Sequence, residues 1–141
     1  MKRKYTRNFD QISHMVADTE QFFAEEGVHQ SLRMKVDLAI EELFVNMVEY
    51  NTESHQEILL EMSKLADGIE VSLTDYDVER FDPTLADKVD ITAPLPDRVP
   101  GGLGLYLVLK MADSIHYEYH DRTSKITFTN RIVPGEAEED V

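Results

Sequence analysis

The chain has 141 residues, 42% hydrophobic and 30% charged, the size and composition of one domain with a buried core. Its formal charge is −14, from 14 Lys+Arg against 28 Asp+Glu, which repels nucleic acid and anionic membrane surfaces at long range. It has no cysteine, so disulfides and thiolate metal sites are excluded, and no apolar run reaches the length of a membrane span.

The basic N-terminal stretch MKRKYTRNFD has no apolar run behind it, unlike a secretory signal, and the expected location is the cytoplasm. YTRNF predicts a first strand over residues 5–9. Asp10–Glu26 carries Ile12, Val16, Phe22 and Phe23 and predicts a helix stopped by Gly27. Ser31–Tyr50 is the strongest helical segment, with Val36, Ile40, Leu43 and Met47 in one stripe. Glu57–Lys64 alternates, placing Ile58, Leu60 and Met62 on one face. A turn at Ala66–Gly68 follows, and Ile69, Val71 and Leu73 complete a hairpin.

Residues 76–100 hold Pro83, Pro94, Pro96, Pro100 and many charges, and long loops of this kind in small domains usually serve function. A third helix is expected over Leu105–Ala112, with Leu105, Val108, Leu109 and Ala112 on one face. Two strands, Ile115–His120 and Lys125–Ile132, join through a turn near DRTS. The acidic PGEAEEDV, residues 134–141, is expected to be a flexible tail, leaving a single domain over 1–133. This order predicts an α+β two-layer sandwich: a mostly antiparallel mixed sheet with about three helices packed on one face.

Four stretches carry chemistry. In GGLGLYLVLKMAD, Gly101, Gly102 and Gly104 open a helix, where backbone N–H groups and the helix dipole can receive an anion. The spacing matches neither a P-loop nor a dinucleotide fingerprint, and alone it also reads as a tight turn. In AIEELFVNMVEYN, Glu42 and Asn46 stand four residues apart and project from one side of a helix. An amide oxygen and a carboxylate so placed can share a hydrated Mg²⁺ or handle a proton, although most such pairs are a solvated helix edge. Asparagine is a poor helix former, so its mid-helix position asks for a reason. In VSLTDYDVERFDP, Asp75 ends a strand, where it could accept from the exocyclic amine of adenine or simply form a turn. Arg80, Lys88 and Arg98, in and beside the long loop, could close over phosphates or lie in solvent.

Taken together in order, EELFVN, DYDVERFDP and GGLGLYLV resemble the nucleotide-binding boxes of the GHKL ATPase superfamily. Within it they resemble the small serine-protein kinases that act as anti-sigma factors, the RsbW and SpoIIAB type. The likeness runs from about Asp10 to Ile132 and includes the final hairpin. It implies ATP and Mg²⁺ as cofactors, Glu42 as catalytic base, and Asn46 as metal ligand and cofactor contact. It further implies Asp75 at the adenine, with Asp77 as the other candidate, and Gly101, Gly102, Gly104 and Leu105 around the phosphates. FDP and the loop after it correspond to an ATP lid. The implied reaction is transfer of the γ-phosphoryl group to a serine or threonine of a STAS-domain anti-anti-sigma-like protein, with a sigma factor or other client and possible homodimerisation.

The sequence departs from the family pattern at two positions: Asp77 stands where the second box usually has glycine, and Tyr50 where a histidine often follows the asparagine. The first departure keeps an alternative open, a non-catalytic binding module of the same fold that has weak or no nucleotide binding.

Overall fold

Residue alternation in the two apolar hairpins dictates the sheet. The computed structural model describes residues 1–80, 108 and 110–133. Strands β1 (Lys2–Tyr5), β2 (Ile58–Leu65), β3 (Gly68–Tyr76), β4 (Ser114–His120) and β5 (Thr123–Arg131) form one sheet in the order β1-β2-β3-β5-β4. Every pairing among these strands is antiparallel, so the described sheet is not mixed. The register lines up Leu60 with Leu73 and Ile126, and Met62 with Val71 and Phe128. All six side chains are buried, forming two apolar rows across one face. Asp75 follows Leu73 by two residues and so continues the same inward face of β3.

Helix α1 (Ile12–Glu26) buries Met15, Thr19, Phe22 and Phe23, and α2 (Arg33–Tyr50) buries Val36, Ala39, Ile40, Leu43, Phe44, Asn46 and Met47. Their apolar faces and the inward sheet residues make one core. Gly27 ends α1 in the left-handed region, φ 68°, with its N–H on the Phe23 carbonyl, as the glycine stop predicts. Arg33 ties the two helices: its guanidinium lies 5.8 Å from the Phe23 ring centre, donates to the Val16 carbonyl at 3.1 Å and pairs with Asp37 at 2.9 Å.

The sequence expectations need three corrections. The first strand is Lys2–Tyr5 rather than 5–9, because Asn8 accepts from the Asp10 N–H and caps a 3-10 turn at Phe9–Gln11. Two α-helices are described rather than about three. Val108, Lys110 and Met111 are helical, but the remainder of the expected third helix lies outside the described residues. The last hairpin turns on two residues, Asp121 and Arg122, both at positive φ, so β5 begins at Thr123. At the β2–β3 turn, a Cβ on Gly68 would collide with the Asn130 carbonyl, which explains the glycine of ADG. The long loop from residue 81 and the tail 134–141 lie outside the described residues. No described helix is long and apolar enough to cross a membrane.

Candidate functional site

The core-facing stripe of α2 decides where its polar side chains sit. Ile40, Leu43, Phe44 and Met47 are buried in the core. Asn46, beside them, is drawn in until it is only 4% exposed. Among the described residues its Oδ1 has no hydrogen-bond partner. An amide oxygen buried in this way costs stability unless a ligand satisfies it. One turn earlier, Glu42 is half-buried, and its carboxyl is pushed above the ordinary glutamate value. Burial is the main cause, with the charges of Glu41 and Glu49 adding to it. Tyr50, one turn beyond Asn46, has its phenol pushed up by burial and by Glu49.

At the end of β3 the polar groups are closed on one another. Asp75 is fully buried. Arg7, from the segment after β1, grips it in a fork: Nη1 donates to Oδ1 at 2.5 Å and Nη2 to Oδ2 at 3.2 Å. Asn51, at the C-cap of α2, donates to Oδ2 at 2.7 Å. Arg7 also donates to the carbonyls of Met47 at 2.8 Å and Gln56 at 3.3 Å. One guanidinium therefore joins the segment after β1, the end of α2, the segment before β2 and the end of β3.

The chain leaves β3 through a pinned turn. Asp77 has φ 59°, a conformation glycine adopts freely and aspartate tolerates better than most residues. Its carboxylate accepts from Arg122 Nε at 3.0 Å. The Ser54 hydroxyl donates to the Tyr76 carbonyl at 2.6 Å, the Tyr119 hydroxyl to the Val78 carbonyl at 2.7 Å, and the Val78 N–H to the Arg122 carbonyl at 2.9 Å. Aspartate thus holds a backbone conformation open to glycine, at the position where the resembling box usually has that residue.

Five of the candidate residues singled out in the sequence are described: Glu42 and Asn46 share one face of α2, Asp75 lies in the network at the end of that helix, Asp77 sits exposed in the turn, and Arg80 is exposed just beyond it. Gly101, Gly102, Gly104 and Leu105 lie outside the described residues, as do Lys88 and Arg98. Arg7 and Asn51 were not anticipated. Arg7 has no local motif, since its partner Asp75 is 68 residues away. Asn51 becomes a signal only once the end of β3 is brought beside the end of α2.

The donor set suits a hard cation. Among the described residues no cluster of three or more His, Cys, Asp or Glu could hold a metal. Magnesium typically takes one or two side-chain oxygens and completes its shell with water and phosphate. The orphaned oxygen of Asn46 fits that role, and Glu42 stands a turn away on the same face.

The family model described as "Histidine kinase-like ATPase domain" matches residues 6–130. No curated protein matches the chain. Among solved structures, the RsbU and RsbW domains of Rv1364c from Mycobacterium tuberculosis superpose with a TM-score of 0.62 at 16% identity, covering 93% of this chain and 32% of that one. The SiaB-SiaC complex from Pseudomonas aeruginosa gives 0.63 at 12% identity, covering 92% and 88%. The Acinetobacter baumannii histidine kinase AdeS gives 0.51 at 10% identity, covering 93% and 67%. The chain thus spans about a third of the first of these proteins, and at these identities the likeness is one of fold. With residues 6–130 matched, most of its length, the chain belongs to the histidine kinase-like ATPase domain family.

Proposed function

We propose that this protein is an ATP-dependent serine/threonine protein kinase that works as an anti-sigma-type regulator in a bacterial partner-switching pathway, phosphorylating a STAS-domain antagonist. The observation that carries the reading is Asn46: a buried amide oxygen without a partner among the described residues, one helical turn from a carboxyl whose proton affinity is raised. Such a pair is costly in a structural helix and useful where a metal-bound triphosphate is received.

In this reading Asn46 Oδ1 would ligate Mg²⁺, which when bound neutralises triphosphate charge. Asp75 lies at the base end of the nucleotide, with Asp77 in the turn beyond it. The amides of Gly101, Gly102, Gly104 and Leu105 receive the phosphates. Glu42 orients the acceptor hydroxyl and takes its proton. The serine or threonine oxygen forms a bond to the γ-phosphorus, the bond from that phosphorus to the β–γ bridging oxygen breaks, and ADP leaves. Burial helps Glu42 here, because a carboxylate with raised proton affinity is a stronger base.

The partner assignment draws on the fold shared with RsbW and with a protein of the SiaB-SiaC complex. A sigma factor or other client, a homodimer and a cytoplasmic location belong to the same proposal. The test is incubation with radiolabelled ATP, Mg²⁺ and a STAS-domain protein encoded nearby. Label on a serine or threonine of that protein is the expected result, and its absence despite ATP binding would remove the kinase assignment.

A second reading has its own observation. Asp75 is already held by Arg7 and Asn51, and Asp77 brings a side chain where glycine is usual. A protein so built could bind its partner without nucleotide. Calorimetric titration with ATP and Mg²⁺ separates the two, since the binding module gives no heat.

A further inference from the structure

We propose that Arg7 is a positioning residue for Asp75 and, through it, sets which purine the site accepts; this rests on the ATP-site reading above. The starting point is the number of acceptor positions on one carboxylate. An ionised aspartate offers about four lone-pair sites, two on each oxygen. Arg7 Nη1 uses one on Oδ1, while Arg7 Nη2 and Asn51 Nδ2 use both on Oδ2. Among the described residues one acceptor remains, on Oδ1.

The guanidinium cannot turn away to free more. Its two terminal nitrogens also donate to the Met47 and Gln56 carbonyls, so its plane is fixed by backbone from α2 and from the segment before β2. The fork fixes the carboxylate's plane in turn. On the ATP-site reading, what the base meets at the end of β3 is a buried carboxylate with a single oriented acceptor left by the described residues. That acceptor matches one exocyclic N–H, as on a 6-aminopurine. A 6-oxopurine would set its carbonyl oxygen against the carboxylate with no proton between them, an arrangement that polar sites reject strongly. Without Arg7 the carboxylate would be free to rotate and hydrate, and the discrimination would blur.

The experiment measures dissociation constants of the full chain for ATP and for inosine triphosphate, in which a carbonyl replaces the 6-amine, both with Mg²⁺. The principal variant is Arg7→Lys, which keeps the charge but cannot bridge both oxygens. The wild type is expected to favour ATP by at least about tenfold, and Arg7→Lys to bring that ratio within about threefold while binding still requires Mg²⁺. Asn51→Ala removes one donor and no charge. It is expected to lower the ratio by a smaller factor, and it gives the same readout if Arg7→Lys does not fold. A purely structural Arg7 would weaken both nucleotides alike and leave the ratio unchanged, and that result overturns the proposal. So does a wild type that binds the two equally. A wild type that binds neither nucleotide instead removes the ATP-site reading on which the proposal stands.

Discussion

Helix α2 carries two polar regions a turn or so apart, and they are built in opposite ways. At its C-terminal end, Asn51 and the Met47 carbonyl join Arg7 and Asp75 in a network where both carboxylate oxygens and both terminal guanidinium nitrogens are used. At Asn46 the amide oxygen is equally buried and has no partner among the described residues, beside a glutamate whose charged form is penalised by burial. The closed region spends its polar groups on holding four segments together. The open region keeps its polar groups at a cost, which makes sense where an incoming ligand satisfies them.

Breaking the closed region should have the largest effect on stability. Arg7→Met strands a buried carboxylate and should cost about 3–5 kcal/mol in urea unfolding. The double variant Arg7→Met with Asp75→Leu should recover most of that loss, because no charge is then left buried. A loss below about 1 kcal/mol in the single variant would show that the pair is not closed as described.

The open region should respond in the opposite sense. Glu42→Gln is expected to slow phosphoryl transfer by about 10²- to 10⁴-fold without lowering the melting temperature. The sign follows from the shift. Because the folded state holds Glu42's proton more tightly than the unfolded chain does, this residue favours folding at low pH, and that contribution is lost as pH rises through the raised value. Glutamine removes the penalty at neutral pH. The same shift predicts that the wild-type rate climbs with pH along an acid limb displaced upward from the ordinary glutamate value, and a rate that stays flat at acid pH would count against Glu42 as the base.

Asn46→Leu should be smaller still and favourable to folding. Replacing an unsatisfied buried amide by an apolar side chain of similar size should raise stability by about 1–2 kcal/mol, read by urea unfolding, while Mg²⁺-dependent nucleotide binding is lost. The smallest change is expected at Asp77→Gly. Relief of the positive φ and loss of the exposed Arg122 contact offset each other, moving the melting temperature by no more than about 2 °C.

Legibility in the sequence follows the range of the interactions. The α2 stripe and the alternation of Ile58, Leu60, Met62, Ile69, Val71 and Leu73 are local patterns, and they place the core-facing surfaces correctly. Asn46 stood out for a local reason as well, a poor helix former among apolar neighbours. The first strand was misplaced because Lys2, Arg3 and Lys4 are all exposed on an edge strand, so only Tyr5 carries an inward signal. The closed network was invisible because Arg7 and Asp75 meet only after β2 has been laid between their strands, and no spacing rule spans 68 residues. Asp77 was readable as a departure from the glycine pattern, but its left-handed backbone, which keeps the turn intact, required the structure.

The contrast between the two regions comes down to the orphaned oxygen of Asn46. Calorimetric titration of ATP into the wild type and into Asn46→Leu, each with Mg²⁺ and with chelator, tests it directly. Binding by the wild type only when Mg²⁺ is present, and none by an Asn46→Leu protein that unfolds at an equal or higher temperature, is the predicted result. Equal affinity in the two proteins, or no heat from the wild type at millimolar nucleotide, would contradict the assignment of this face of α2 as the place where metal and triphosphate are received.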